Sequence, residues 1–316
     1  MKILVTGAAG FIGSNLVEHL LEKGNFVYGV DNFITGSRKN IKRLSKNQNF
    51  EFFENDISNL DDQKSELLHD QKFDQIYHLA CPTGVPNLVT LAEEMLSTCS
   101  IGTKNILEIA KESNSMLLFT SSSEVYGDPK EFPQNESYGG NVDQVGVRSP
   151  YEEGKRFSES LITMYVRKYG IDAKIVRVFN TYGQNMSKSD MRVIPRFIHQ
   201  LEQDKPLTVH GDGLQKRTFC HVDDLINGIF LVMDKGGKGE VYNIGSNKEI
   251  TIKDLSYFII KISESNIKVK HIERPKHDHQ ARLPYLSKIF QLGWSPKINL
   301  GEGLSKIIDY ELPVKV

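Results

Sequence analysis

Short apolar runs alternate with longer stretches of helical periodicity through the first half of the chain. The apolar runs predict β-strands over residues 3–5, 26–30, 50–53, 75–79, 117–120 and 173–179. Apolar positions at helical spacing predict helices near residues 12–23, 88–113 and 150–169. Short strands that alternate with helices are typical of a parallel sheet covered on both faces. The pattern therefore predicts an α/β fold, a doubly wound parallel sheet of the Rossmann type.

Beyond residue 179 the pattern becomes more polar and richer in turns. It predicts helices near residues 194–203, 252–263 and 300–310, and a strand and turn over residues 207–213. An apolar run at residues 241–244 predicts one more strand, which we expect to rejoin the main sheet. We therefore expect a main domain of residues 1–179 plus about 220–246, and a smaller, discontinuous lobe of residues 180–219 plus 247–316.

The composition argues against several classes of function. The 316 residues carry 39 basic and 40 acidic side chains, a net charge of −1, which gives no electrostatic reason to bind nucleic acid or an acidic membrane. No run approaches about 18 apolar residues, so no membrane span is predicted. Cys81, Cys99 and Cys220 are far apart and predict no disulfide framework, and a reducing cytoplasm is the simplest interpretation. The His-Asp-His sequence at residues 277–279 lacks a third ligand at helical spacing, so no metal is expected.

A glycine-rich turn follows the first predicted strand. Gly7, Gly10 and Gly13, with Phe11 and Ile12 between the last two, end that strand and open the first helix. The first glycine permits a tight turn, and the second lets backbone N–H groups approach a pyrophosphate at the positive end of the helix. The third glycine permits close packing on the sheet. In this context the spacing predicts a dinucleotide site in the main domain.

A carboxylate at the end of the second predicted strand indicates which dinucleotide binds. Asp31 can accept hydrogen bonds from the adenosine ribose hydroxyls and would repel a 2′-phosphate. NAD is therefore favoured over NADP, although Arg38 and Lys39 lie nearby. Asp56 is expected near the adenine amino group. The other residues expected at this cofactor site are Asn32, Ile57, Leu79 and Ala80.

Tyr151 and Lys155 stand four residues apart, on one face of a predicted helix. A lysine ammonium can lower the pKa of a neighbouring phenol from about 10 toward neutral pH. The phenolate can then take a proton from an alcohol as hydride leaves. A serine-rich segment, residues 120–127, precedes the pair at the end of another predicted strand. With the dinucleotide site, these residues predict redox chemistry at an alcohol carbon.

Together these features resemble the extended short-chain dehydrogenase/reductase family, whose members act on nucleotide sugars. The resemblance covers nearly the whole chain, through residues 177–183 and 215–217 to 292–294. It implies that Ser122 hydrogen-bonds the sugar C4 oxygen and that Tyr151 is the base. Lys155 would lower the pKa of Tyr151 and hold the nicotinamide ribose. The resemblance also implies a nucleotide-sugar ligand in the smaller lobe, with a UDP-sugar favoured, and a homodimer built through the helices near residues 88–113 and 150–169.

Within that family the chain is similar to the UDP-glucuronate decarboxylases, at residues 31–33, 123–129, 146–148, 153–156 and 179–181. Those enzymes oxidise C4, lose carbon dioxide from the resulting β-keto acid, protonate C5 and reduce C4 again, with NAD acting catalytically. The resemblance places Ser123 and Glu124 near C5 and C6, and it places Arg217 at the diphosphate or as the donor of the C5 proton. The remaining substrate contacts that it implies are Asn180, Arg192, Val193, His210 and Arg282, of which Asn180 and Arg282 would hold the diphosphate.

The chain also departs from the decarboxylase pattern. Residues 83–88 replace the family's Ala-Ser-Pro segment, and residues 138–140 carry glycine where the family carries tryptophan. Cys99 replaces an asparagine, and His210 replaces an aromatic residue that stacks on uracil.

Three alternatives therefore stay open. In a nucleotide-sugar 4,6-dehydratase Glu124 would remove the C5 proton, although Ser123 is a poor general acid for the leaving hydroxyl. A 4-epimerase would need no such glutamate. A non-catalytic NAD-sensing regulator is the third, although such proteins often lose the tyrosine or the lysine that this chain retains.

Overall fold

The main element of the fold is a parallel sheet. The computed structural model describes residues 1–60, 68, 71–84, 86–187, 190–273 and 282–312. Within these residues the strands are, in chain order, β1 (Lys2–Thr6), β2 (Phe26–Asp31), β3 (Phe50–Glu54), β4 (Gln75–His78), β5 (Met116–Ser122), β6 (Asp172–Val178), β7 (Thr181–Tyr182), β8 (Leu207–His210), β9 (Lys216–Thr218), β10 (Cys220–His221), β11 (Val241–Ile244), β12 (Glu249–Thr251) and β13 (Val269–Ile272). Seven of them form one sheet in the order β3-β2-β1-β4-β5-β6-β11. All of its pairings are parallel, so the predicted doubly wound α/β fold is confirmed.

Helices cover this sheet and build the rest of the molecule. Those within the described residues are α1 (Phe11–Glu22), α2 (Arg38–Leu44), α3 (Asn87–Thr90), α4 (Ala92–Ser97), α5 (Thr103–Ser113), α6 (Ser149–Tyr169), α7 (Val193–Glu202), α8 (Val222–Lys235), α9 (Ile252–Ile262), α10 (Ser287–Gln291) and α11 (Leu300–Glu311).

The alternation of side chains along β1 shows how both faces of the sheet are covered. Ile3 and Val5 pack into one core with residues of α1 and α8, whereas Leu4 packs into the opposite core with residues of α5 and α6. All three side chains are fully buried. Burying such an aliphatic side chain contributes about 1.5–3 kcal/mol, which favours strands that are apolar on both faces. The continuous apolar runs of the sequence reflect this arrangement.

The sequence predicted a single helix near residues 88–113, and this prediction is wrong in one respect, because the structure divides the region into separate helices. Leu91, between α3 and α4, has a non-helical backbone with φ −125° and ψ 29°. A π-helical turn, Thr98–Gly102, separates α4 from α5. Ile57 packs so close to Gly102 that a Cβ there would lie 2.8 Å from the isoleucine Cγ1. Apolar spacing does not reveal one extra residue in a helical hydrogen-bond ladder, so the sequence missed the turn.

The predicted smaller lobe has its own apolar core. Phe197 on α7, Leu255 on α9 and Leu304 on α11 are fully buried within it. Short strand pairs flank this core: β8 with β13 in parallel, and β9 with β12 in antiparallel. The strand predicted at residues 241–244 joins the main sheet beside β6, as expected.

One segment of the predicted lobe packs on the main domain. Leu286, Ile289 and Trp294 belong to the same core as α1 and α8, and the indole N–H of Trp294 donates to the backbone oxygen of Asp224 at 2.9 Å. The proposed division of the chain into residues 1–179 plus 220–246 and the remainder stays a prediction.

Candidate active site

A cleft opens at the carboxyl ends of the parallel strands, where ligands of doubly wound folds bind. It has a volume of about 540 Å³. Residues at the ends of five different strands, or directly after them, meet there, namely Gly7, Asp31, Leu79, Ser122 and Phe179. The structure thus brings the glycine turn and the serine-rich segment into one cavity. The other predicted site residues that line it are Gly10, Phe11, Ile12, Gly13, Asn32, Asp56, Ile57, Ala80, Ser123, Glu124, Tyr151, Lys155, Asn180 and Arg192.

The glycine turn leaves no room for side chains. Gly7 has φ +74°, and its N–H donates to the Val30 oxygen at 2.8 Å. A Cβ at Gly7 would lie 2.9 Å from the Ala80 nitrogen, and one at Gly13 would lie 2.0 Å from the Gly7 oxygen. Helix α1 begins directly after Gly10, which has no side chain to cap the first N–H groups. These N–H groups and the positive end of the helix fit the pyrophosphate of a dinucleotide.

Asp31 is fixed by backbone donors at the end of β2. Its Oδ2 accepts from the Ala9 N–H at 3.0 Å and its Oδ1 from the Phe33 N–H at 2.8 Å. Burial raises the pKa of the Asp31 carboxyl, and the two backbone hydrogen bonds oppose that rise. Arg38 forms a bidentate ion pair with Glu54, at 2.6 and 2.9 Å. Because Glu54 holds this guanidinium, Asp31 determines the charge that an adenosine ribose would meet.

The neighbouring polar loops form the rest of the expected adenosine site. The Asn32 amide donates to Asp56 Oδ2 at 2.9 Å, and Asp56 Oδ1 accepts from the Ser58 N–H at 2.7 Å. On the nicotinamide side, the N–H groups of Leu79 and Ala80 both lie 3.2 Å from the hydroxyl oxygen of Thr6. These contacts fix the two loops on either side of the glycine turn.

Tyr151 and Lys155 project from the first turns of α6 into the cleft. The Lys155 ammonium is buried, donates to the Thr120 oxygen at 2.9 Å and lies 4.6 Å from the centre of the Phe119 ring. Burial raises the pKa of Tyr151 to about 12, while Lys155 and a hydrogen bond with Ser122 act to lower it. The sequence predicted the direction of the lysine effect. Desolvation is the larger effect in this structure, so the pKa of Tyr151 lies above its usual value, and the expected shift toward neutral pH stays a prediction.

Glu124 lies between two arginines. Its Oε1 is 2.6 Å from Arg282 Nη1, and its Oε2 pairs with Arg148. Arg148 also contacts Glu152 at 3.2 Å. Burial opposes the charge of Arg148, but Glu124 and Glu152 hold the pKa of its guanidinium above the usual range. Arg148 lines the cleft and is a site residue to which the sequence assigned no role, although residues 146–148 were part of the family resemblance.

Backbone hydrogen bonds hold the segment that carries Arg282. Gln134 N–H donates to the Leu283 oxygen at 2.8 Å, and the Gln134 oxygen accepts from the Tyr285 N–H at 2.7 Å. The fully buried Asn243 side chain donates to both Gln134 and Tyr285 oxygens, at 3.0 and 3.3 Å. Arg282 itself is buried, with Nη1 3.3 Å from Ser123 Oγ. The segment therefore places a guanidinium against both residues expected near C5 and C6.

Four predicted substrate residues lie outside the lining of the cleft, namely Val193, His210, Arg217 and the Arg282 already described. Val193 begins α7, and His210 contacts Arg196 at 3.2 Å. Arg217 is on β9 and donates to the Lys216 oxygen at 2.8 Å. The structure thus brings Arg282, and not Arg217, to Glu124. Of the residues expected to hold the diphosphate, Asn180 remains in the cleft, joined there by Arg192, whose guanidinium pairs with Asp190 at 2.5 Å.

The fold and the site together define an NAD-dependent enzyme of the short-chain dehydrogenase type. The chain belongs to the NAD dependent epimerase/dehydratase family, whose model matches residues 3–245. Members of this family depend on NAD, so the cofactor that the sequence predicted is confirmed.

Two relatives with known names show which enzymes of the family this chain resembles in sequence. The chain is 42% identical over 306 residues to UDP-glucuronic acid decarboxylase 6 of Arabidopsis thaliana, an alignment that covers 96% of this chain and 87% of the relative. It is 40% identical over 310 residues to UDP-glucuronic acid decarboxylase 1 of Danio rerio, covering 98% of this chain and 72% of the relative.

Solved structures of nucleotide-sugar enzymes are similar over almost the full length. UDP-glucuronic acid 4-epimerase of Bacillus cereus, in complex with UDP-glucuronic acid and NAD, superimposes with a TM-score of 0.87 at 32% identity, covering 98% of this chain and 99% of that one. dTDP-glucose 4,6-dehydratase of Bacillus anthracis, in complex with NAD, gives a TM-score of 0.86 at 26% identity, covering 98% and 96%.

Membrane-spanning and metal-binding features are both lacking in the described part of the chain. None of its helices combines the length and apolarity needed to cross a membrane. None of its His, Cys, Asp and Glu side chains group in threes at metal-binding distance. The His-Asp-His sequence at residues 277–279 lies outside the described residues.

Proposed function

We propose that this chain is a UDP-glucuronate decarboxylase, which converts UDP-glucuronate to UDP-xylose and carbon dioxide. The observation that carries the proposal is the group formed by Glu124, Arg148 and Arg282 beside the Ser122–Tyr151–Lys155 site, in a chain about 40% identical to decarboxylases over nearly its full length. NAD, when bound, accepts hydride from C4 of the sugar and later returns it.

The residues of the first site act at C4. Ser122 hydrogen-bonds the C4 oxygen, and Tyr151 takes the hydroxyl proton. Lys155 stabilises the phenolate through its charge, held in place by the Thr120 oxygen. A ketone at C4 makes the C5 carboxylate a β-keto acid. Its C–C bond breaks, carbon dioxide leaves, and the electron pair moves toward the C4 oxygen, where the Ser122 and Tyr151 hydroxyls donate hydrogen bonds.

The residues of the second site act at C5 and C6. The Arg282 guanidinium contacts both Glu124 and the Ser123 hydroxyl. In this proposal Glu124 and Arg282 orient the carboxylate and deliver a proton to C5 through a group or a water that they bind. This assigns to Arg282 the role that the resemblance gave to Arg217.

Two neighbouring reactions begin with the same C4 oxidation. A 4,6-dehydratase needs an acid to protonate the leaving C6 hydroxyl, and Ser123 is a poor one. A 4-epimerase on the same substrate is the second candidate, supported by the likeness to UDP-glucuronic acid 4-epimerase. A non-catalytic NAD sensor is disfavoured because Tyr151 and Lys155 are both in place.

A product analysis tests the proposal. Purified protein mixed with UDP-glucuronate should release carbon dioxide and form a product lighter by that molecule. Loss of water from a hexose substrate would indicate the dehydratase. An unchanged mass with inverted C4 would indicate the epimerase, and no turnover with bound NAD would indicate the sensor.

We also propose a homodimer, in a cytoplasmic setting that suits the free cysteines. Leu96 on α4, Ile101 in the π-helical turn and Phe157 on α6 expose 46%, 52% and 52% of their surface, and these elements adjoin each other. Such apolar exposure fits an isologous helical interface. Light scattering should show a dimer for the parent and a monomer for Phe157→Glu. The control Phe290→Glu, at a residue 40% exposed on α10, should remain dimeric.

A further inference from the structure

Two cysteines meet beside the active-site lysine. Cys81, in the loop after β4, lines the cleft, whereas Cys99 is buried in the π-helical turn Thr98–Gly102. Their sulfur atoms are 3.6 Å apart, and both are free thiols in this structure. We propose that Cys81 and Cys99 are a redox-active pair, which a hydroperoxide entering the cleft converts to a disulfide that inactivates the enzyme reversibly.

The surroundings of the pair favour loss of one proton. A hydrogen bond from Cys81 lowers the pKa of Cys99 to about 7, and the Lys155 ammonium acts in the same direction. The same hydrogen bond raises the pKa of the Cys81 thiol. The two thiols therefore titrate as a unit that shares the remaining proton. The third cysteine differs, because burial raises the pKa of Cys220 and leaves it a neutral thiol.

The chemistry balances with a hydroperoxide as the oxidant. The thiolate sulfur attacks one oxygen of the O–O bond, which breaks, and the other oxygen leaves as an alcohol or water after taking a proton. The sulfenic acid so formed is attacked by the second sulfur, which loses its proton, and water leaves as the S–S bond forms. Two thiols are oxidised to one disulfide and one hydroperoxide is reduced. Cys81 lines the cleft, so the oxidant reacts with the form of the pair in which the shared proton lies on Cys99 and the thiolate is on Cys81.

Closing the bond moves the loop that borders the nicotinamide side. An S–S bond is about 2.0 Å long, so the sulfurs must approach each other from 3.6 Å. Cys99 packs against Gly154 of α6 so closely that a Cβ on that glycine would lie 3.2 Å from the cysteine sulfur. We expect Cys81 to supply most of the movement, because it lies in a loop whereas Cys99 lies within a helical turn. Ala80, whose N–H is hydrogen-bonded to Thr6, would shift with it.

Peptide mapping of the oxidised protein tests the pair directly. The NAD-bound protein is treated with hydrogen peroxide, its remaining thiols are alkylated, and its peptides are mapped by mass without reduction. We expect a cross-link between Cys81 and Cys99 and an alkylated Cys220. Absence of that cross-link in protein whose two thiols have been consumed, or thiols that stay unreacted, would overturn the proposal.

Activity shows whether the disulfide is inhibitory. Displacement by about 1 Å can cost about 10²-fold in rate, so oxidised protein should lose turnover by about that factor and regain it with dithiothreitol. Cys99→Ala should turn over normally and resist peroxide, and the matched control Cys220→Ala should behave as the parent. Equal peroxide sensitivity of Cys99→Ala would refute the inhibitory role. Only the turnover assay rests on the proposed function, whereas the peptide map does not, so the redox proposal and the proposed function can fail separately. If Cys99→Ala does not fold, the peptide map of the parent protein still shows whether Cys81 and Cys99 form a disulfide.

Discussion

Glu124→Gln removes one charge from a site that two arginines share. The side chain keeps its size and one acceptor oxygen, but it no longer offers a carboxylate to Arg282, at 2.6 Å, or to Arg148. Its new amide N–H groups would face guanidinium N–H groups. We expect hydride transfer at C4 to continue, because it depends on Ser122, Tyr151 and the cofactor.

The structure sets the size of the stability effect. Removing one partner of a fully buried ion pair costs about 3–5 kcal/mol. Arg282 is 5% exposed and Glu124 is 21% exposed in their side chains, so the pair is only partly shielded from water. Arg282 also keeps its hydrogen bonds to the Ser123 hydroxyl and to the Gly127 oxygen, each of 3.3 Å. We therefore expect a loss of about 2 kcal/mol, well below the level that would unfold a domain of this size.

The assay separates the early step from the later ones. With UDP-glucuronate, Glu124→Gln should accumulate reduced-cofactor absorbance or the 4-keto sugar, while xylose product falls by about 10²–10⁴-fold. The control Glu152→Gln removes a negative charge from the other carboxylate that contacts Arg148. This variant should still carry out the steps that follow C4 oxidation. If Glu124→Gln turns over glucuronate like the parent, the glutamate is structural and the site model fails at its centre.

Other substitutions test the remaining assignments. Tyr151→Phe should keep the fold and bound NAD but lose about 10²–10⁴-fold in C4 oxidation, and near-normal turnover would exclude the phenol as proton acceptor. Lys155→Met removes a charge that lowers the pKa of Tyr151, so the rise of the rate with pH, which reports loss of the phenol proton, should move to higher pH, and an unmoved rise would contradict this role. Calorimetry should show NAD bound more tightly than NADP because of Asp31, and equal affinities would refute that. Arg282→Gln should stall the reaction after C4 oxidation whereas Arg217→Gln should not, and the reverse result would restore the assignment to Arg217.

The cofactor half of the site was predictable because each of its features is local. Gly7, Gly10 and Gly13 follow one strand, and Asp31 ends the next, so spacing alone places them at one edge of a parallel sheet. Tyr151 and Lys155 share a helix face for the same local reason. The pKa of Tyr151 was not predictable, since burial depends on how the surrounding loops pack.

The other half of the site depends on contacts that sequence patterns do not encode. Ser123 and Arg282 are 159 residues apart in the chain, and nothing in the spacing selects Arg282 over Arg217 as the partner of Glu124. The π-helical turn that brings Cys99 to Cys81 was hidden for a related reason, because one extra residue in a helix leaves the apolar pattern almost unchanged.

This difference bears on how one fold can support several reactions. The groups proposed to act at C4 come from strand ends of the main sheet and from α6, whereas the guanidinium at Glu124 comes from a late segment that is hydrogen-bonded to Gln134. In the proposed mechanism, oxidation at C4 therefore depends on the main domain. The fate of the 4-keto sugar would depend instead on the side chain that the late segment delivers and on the residue at position 123. A change confined to those positions could redirect the 4-keto sugar from decarboxylation to another outcome without disturbing the cofactor site.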